Sequence, residues 1–158
     1  MRRLIFAPLA ILIGTPPVMA QSVTDWVFAA DPPCFSRSYD ADHLAAHPDQ
    51  QISMIVVRAD TEDMALDQSD DRLLLVEVLT RSGKTPYSGI GYCVASSTGL
   101  ECLMEGDAGR FTLTGQDGRL RLDVGAEGLI FEGPVDFLTL QSDSGDDRVF
   151  LLDKGRCG

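Results

Sequence analysis

From residue 52 onward the chain consists of short apolar runs separated by polar, Gly- or Pro-bearing breaks. Ile52 to Ala59 is apolar and rich in β-branched residues, and Arg72 to Thr80 (RLLLVEVLT) is apolar almost throughout, as a central strand would be. Between them Thr61 to Asp71 is an acidic loop, and Arg81 to Pro86 is a turn. Ile90 to Ala95 and Leu100 to Glu105 read as a pair of strands folded over Ser96-Ser97-Thr98-Gly99. The strongest local signal is RFTLTGQDGRLRLDV, residues 110–124, where Asp117-Gly118 is a two-residue hairpin turn. Closing the hairpin there sets Leu113 opposite Leu122 and Phe111 opposite Val124. Thr112, Thr114, Arg121 and Asp123 then share the other face, so one face is apolar, one is polar, and the register is self-consistent. Leu129 to Glu132, Val135 to Gln141 and Arg148 to Asp153 complete the strands, separated by Gly133-Pro134 and by Ser142 to Asp147.

About eight or nine short strands, with turns at roughly 8 to 12 residue intervals, predict an all-β fold: an antiparallel β-sandwich or a small β-barrel. One short N-terminal helix is predicted over Ser38 to His47. Ser38 or Asp40 supplies the cap, Asp42 favours the first turn, Leu44 gives an apolar contact, and Pro48 follows the end. Ahead of it, Gln21 to Pro33 is a lead-in that ends extended at Asp31-Pro32-Pro33 and packs Trp26, Val27 and Phe28 onto the core. Ser69-Asp70-Asp71-Arg72-Leu73-Leu74-Leu75 is faintly echoed by Gly145-Asp146-Asp147-Arg148-Val149-Phe150-Leu151, an acidic turn, an Arg and a strand used twice.

The first 20 residues follow another pattern. Arg2 and Arg3 precede an apolar run, Leu4 to Ile13; Gly14, Pro16 and Pro17 break it, and Val18-Met19-Ala20 ends in a small residue. That is the order of a cleavable secretory signal. The run is about ten residues, half the roughly 20 that a spanning helix needs. No other segment is apolar enough to span a membrane. The expected product is therefore a single domain, residues 21–158, in the periplasm or the medium, after cleavage near Ala20.

Charge narrows the range of partners. The whole chain carries 13 Lys and Arg against 24 Asp and Glu, a net charge of −11, and after removal of Arg2 and Arg3 the balance is −13. Such a surface repels nucleic acid and anionic lipid, suits a basic protein or a cation, and keeps a monomer in solution. All four cysteines, Cys34, Cys93, Cys102 and Cys157, lie beyond the signal, and an even count in an exported chain predicts two disulfides. Turning the hairpin at residues 96–99 sets Cys93 opposite Cys102. Opposed Cα atoms about 4.5 Å apart lie within the range that a disulfide spans. Cys34 is left for Cys157, joining the two ends of the domain. In the chain-entropy account the long bridge contributes about 5 kcal/mol and the short one about 2.5 to 3 kcal/mol. The nine-residue separation of Cys93 and Cys102 does not fit the close-spaced cysteine pairs of zinc sites.

Candidate chemistry is sparse. His43 and His47, the only histidines, stand at i and i+4 of the predicted helix, where two imidazoles share a face and can grip Zn²⁺ or Cu²⁺ with Asp40 one turn earlier. No Glu base lies between them, and Pro48 frays the helix just where His47 sits. Asp60, Glu62, Asp63, Asp67, Asp70 and Asp71, with Asp143, Asp146 and Asp147, offer oxygens of the kind Ca²⁺ takes. The EF-hand pattern is absent, because Ala65 and Asp71 stand where Gly and Glu are required. No Ser occupies a Gly-x-Ser-x-Gly elbow, every cysteine is assigned to a disulfide, and no phosphate-binding loop is present, so an enzyme is not expected. Arg37 and Tyr39, close after Cys34, form a recognition patch beside the histidines, since Arg and Tyr dominate binding hot spots.

In size, compartment, charge and fold class the chain is similar to the small disulfide-bonded β-barrel inhibitors that Gram-negative bacteria keep in the periplasm against cationic lysozymes, although no motif is shared. The resemblance implies an inhibitor of a basic hydrolase. The residues themselves lead first to a non-enzymatic β-domain that binds a partner or has a structural role in the cell envelope, with metal binding at His43 and His47 as a further alternative.

Overall fold

The computed structural model describes residues 22–60, 72–143 and 145–155. The signal segment, the acidic loop over 61–71 with its calcium-type carboxylates, the first copy of the acidic-turn echo up to Asp71, and Cys157 lie outside the described residues.

Nine strands follow one another: β1 (Cys34–Ser38), β2 (Ile52–Ala59), β3 (Arg72–Thr80), β4 (Tyr87–Ala95), β5 (Gly99–Met104), β6 (Gly109–Gln116), β7 (Arg119–Glu132), β8 (Phe137–Leu140) and β9 (Val149–Gly155). All pairings are antiparallel. β1 to β7 form a meander; β9 then lies between β7 and β1, and the β6–β7 pairing closes the sheet. The result is a closed eight-stranded barrel with β8 added on the outside of the far half of β7. Of the two all-β architectures the sequence allows, the barrel is the one formed.

Both predicted hairpins have the predicted register. Leu113 pairs with Leu122 and Phe111 with Val124, and the turn places Asp117 and Gly118 at φ of 50° and 76°. Cys93 pairs with Cys102 and Ala95 with Leu100, and the two cysteines are disulfide-bonded with Cα atoms 4.1 Å apart. β2 and β3 occupy the expected spans. The second expected bridge ends on Cys157, outside the described residues. The register that sets Cys34 opposite Gly155 brings the last described strand alongside it.

Three expectations change. The helix predicted over Ser38 to His47 shortens to α2 (Ala41–Ala46), and the residues before it, Cys34 to Ser38, are strand β1. β1 was hidden because Cys-Phe-Ser-Arg-Ser has no clean alternation and its partners, β2 and β9, are distant in sequence. The lead-in contains a second helix, α1 (Val23–Val27), whose Ser22 cap accepts from the Asp25 amide at 3.1 Å. Five residues are too few for a helical period to show or for a helix to stand alone. Tertiary contact holds it: Val27 is fully buried, and Trp26 meets Phe35 edge-to-face at 4.8 Å. Finally, Arg119 to Val124 and Leu129 to Glu132 are one strand. The Gly-Ala-Glu-Gly stretch between them breaks the apolar pattern without ending the extended backbone. At that point the register jumps from Phe111↔Val124 to Gly109↔Leu129, a bulge that bends β7. Gly128, at φ of 77°, packs so close to the Leu140 carbonyl that a side chain would clash.

The bend lets β7 serve several partners: β6 and β9 along its first half, β8 along its second, with one ladder pair from Glu132 to Ser88 of β4. Side chains fill the interior of the barrel. Phe35, Ile55, Leu74, Val76, Leu113, Leu120, Leu122 and Leu152 are fully buried there, and the Cys93–Cys102 bridge points inward among them. Gly91 makes room for Phe111, whose ring stands 3.0 Å from where a Cβ would be. α1 packs on β5 and β6 near the end of the barrel where the Asp117-Gly118 turn lies; α2 lies at the opposite end. No helix among the described residues is long and apolar enough to cross a membrane. The buried disulfide is compatible with an extracellular location.

Candidate functional site

The sequence-predicted site residues converge at the α2 end. β1 delivers Arg37, and Tyr39 follows directly, its amide still bonded to the Ser53 carbonyl at 2.9 Å. The chain then turns into α2 because the Asp40 carboxylate accepts from the His43 amide at 2.8 Å. That capping bond is the observed role of Asp40. One helical turn carries His43 to His47, which stands just past the helix as its C-cap, at φ of −120°.

The four side chains form a column. The Arg37 guanidinium lies 5.5 Å from the Tyr39 ring centre. The Tyr39 and His43 rings stack at 4.6 Å with 27° between their planes, and the His43 and His47 rings at 4.3 Å with 21°. Arg37 reaches Asp153 at 3.4 Å, and His47 Nδ1 lies 3.3 Å from an Asp146 oxygen, so a carboxylate stands at each end of the column. Burial, more than any neighbour, raises the pKa of the Tyr39 hydroxyl, which keeps it neutral in ordinary buffers.

Three residues that the sequence did not single out for this role hold the column in place. Gln50 is buried; its amide nitrogen donates to the Ile52 carbonyl at 2.7 Å, which turns its oxygen toward His43 Nε2 at 3.0 Å. That orientation assigns the His43 proton to Nε2. Arg81, in the turn after β3, donates to the carbonyls of Leu44, His47, Pro48 and Gln50 at 3.0 to 3.2 Å. A cation thus satisfies the open C-terminal end of α2 and the turn behind it. Asp147, 2 % exposed, accepts from the backbone amides of Gln51 and Ile52 at 2.5 and 3.3 Å. Burial raises its pKa, and the two amide bonds and Arg81 oppose that shift. Nothing local in the sequence marks Arg81 or Gln50. Asp147 was visible only as one of a cluster of acids.

The geometry decides what this end of the barrel can do. A metal ion needs ring lone pairs that aim at one point, whereas lone pairs in two nearly parallel stacked rings run side by side. His43 Nε2 is also engaged by Gln50, and Asp40 by the helix cap. Among the described residues no group of three or more His, Cys, Asp or Glu side chains could hold a metal ion. The acids after Ser142 diverge: Asp147 turns inward onto backbone amides and Asp146 faces His47. No buried side-chain polar atom among the described residues lacks a hydrogen-bond partner. What remains is a preformed, half-exposed aromatic and cationic ridge with Asp40, Asp42, Asp49 and Asp146 exposed around it. Compared with known proteins, the chain matches no family model, no curated protein and no solved structure.

Proposed function

We propose that the chain is an exported, non-enzymatic, monomeric β-barrel that acts by binding a basic protein, in the periplasm or the medium after cleavage near Ala20, with the column at α2 as its contact. The observation that carries this reading is the column Arg37–Tyr39–His43–His47, stacked and half-exposed at the rim of a barrel whose interior is already filled. A barrel with a filled core binds on its outside. Stacked rings present contact area already ordered, so little side-chain entropy is lost on docking. Arg and Tyr are residues that carry binding energy when a partner desolvates them. The carboxylates around the column and the net charge of −11 favour a cationic partner and steer its approach.

The test is a binding panel of cationic lysozymes and basic proteases against the secreted protein. Each enzyme's activity is also followed at stoichiometric addition. One member is expected to bind with an affinity that falls with salt, and Tyr39→Ala is expected to weaken it about tenfold, ~1.4 kcal/mol, measured below the melting transition of both proteins. Affinity indifferent to salt and to Tyr39→Ala would remove the column and the acidic rim from the function. Binding without loss of hydrolase activity would leave a partner-binding protein that is not an inhibitor.

A further inference from the structure

A second surface lies on other strands. Where β4 meets the far half of β7, a cleft of about 520 Å3 opens between these strands, the 3-10 turn at Glu105–Asp107 and β8. Its walls are apolar: Ile90, Ala108, Ile130 and Phe137, the last two 40 % and 70 % exposed. Glu105 and Glu132 also line it, and no Lys, Arg or His does. Neither carboxylate side chain has a hydrogen-bond or ion-pair partner among the described residues. The β7–β8 register sets Glu132 opposite Phe137 and Ile130 opposite Thr139, so apolar and acidic groups share one outward face. Among the described residues β8 ends the order of the sheet, paired to β7 along one edge only.

These features describe one kind of occupant. Exposed apolar surface with unneutralised carboxylates matches a Lys or Arg side chain, whose alkyl stem covers the apolar floor while its head meets the acids. A cation also settles well over an exposed Phe ring. An unpaired strand edge beside the cleft adds backbone hydrogen bonds to any extended chain laid along it. A second copy of this chain fits poorly, since each secreted copy brings a net charge of −13, 11 Lys and Arg against 24 Asp and Glu, and anionic lipid is repelled for the same reason. We propose that the cleft and the β8 edge form a docking site for an extended cationic polypeptide segment in which Lys or Arg alternates with apolar residues. This surface is independent of the rim column, and each has its own variants.

The experiment titrates the secreted protein with a fluorescein-labelled peptide of alternating Leu and Lys, and with a Leu-Ser counterpart of equal length. Anisotropy gives the affinity, and backbone amide resonances give the place. The Lys peptide is expected to bind, with shifts confined to β4, the 105–107 turn, β7 and β8. Binding is expected to weaken about tenfold, ~1.4 kcal/mol, in Glu105→Gln/Glu132→Gln, and likewise in Phe137→Ser. These three side chains are exposed and the two acids are unpaired, so the melting temperature should hold. Failure of the Lys peptide to bind, equal binding of the Leu-Ser peptide, or unchanged affinity in the double variant each overturns the proposal. Shifts centred on α2 also overturn it and point instead to the rim. Concentration-dependent shifts at the cleft without peptide overturn it in favour of a second copy.

Discussion

Asp147 shows how one side chain can fix a loop and set a pH dependence. Its two oxygens hold the amides of Gln51 and Ile52, which lie 96 and 95 residues earlier in the chain. Burial has the largest effect on its ionisation and raises its pKa above the ordinary 3.8. The native protein therefore binds this proton more tightly than the unfolded chain does. The resulting stabilisation is full below pH 3.8 and is lost as pH rises from there through the native pKa. Asp147→Asn retains one acceptor and sets an N–H against an N–H, so it should cost about 1–3 kcal/mol at neutral pH. The deficit should widen at pH 4, because only the parent gains from protonation there. Urea melts of both proteins at the two pH values decide it; a deficit that narrows at pH 4 would mean that the amide bonds outweigh burial. The same residue shows what was legible. An acid at position 147 can be read from the sequence, but that it faces inward depends on a strand 96 residues away.

Among the elements, the two hairpins were readable down to the residue pair, because a turn of fixed length and an alternation of period two both act locally. β1, α1 and the continuity of β7 were not. Cys34 to Ser38 becomes a strand because β2 and β9 offer it edges, and Val23 to Val27 becomes a helix because Val27 and Trp26 have a core to enter. α2 depends on distant contacts in the same way. Six residues do not hold a helix in water, and this one is fastened at its N-terminus by Asp40 and at its C-terminus by Arg81. Arg81→Ala should leave four carbonyls without their cation and cost about 1–2 kcal/mol. It should also speed amide exchange in α2 while β2 and β3 stay protected. Exchange in α2 that is unchanged would place the support of the helix elsewhere. Since His43 and His47 ride on this turn, the same variant should weaken any binding that uses the column.

For the whole molecule, the surplus of carboxylates is the dominant long-range term. The net charge of −13 left on residues 21–158, 11 Lys and Arg against 24 Asp and Glu, is self-repelling, and dissolved salt screens it. The melting temperature should therefore rise as NaCl is raised from low ionic strength to about 0.15 M, where exposed charges more than roughly 8 Å apart are largely screened from one another. A melting temperature that falls instead would show that the ion pairs among the described residues, Arg37–Asp153, Arg58–Glu77, Arg110–Glu127 and Arg121–Asp123 among them, outweigh the repulsion. The sequence by itself determined the all-β class, the spans of β2 and β3, the Cys93–Cys102 bridge and the register of both hairpins, because each follows from alternation and turn chemistry within a few residues. Only the tertiary structure decided that the sheet closes into a barrel through a bent β7. It also decided that His43 and His47 stack with Tyr39 and Arg37, and that Arg81, Gln50 and Asp147 hold them there. Most of those outcomes depend on contacts between residues far apart in the chain, such as Gln50–Arg81, Gln51–Asp147 and Cys34–Gly155, or on the angle at which a chain leaves a helix, and a one-dimensional pattern records neither.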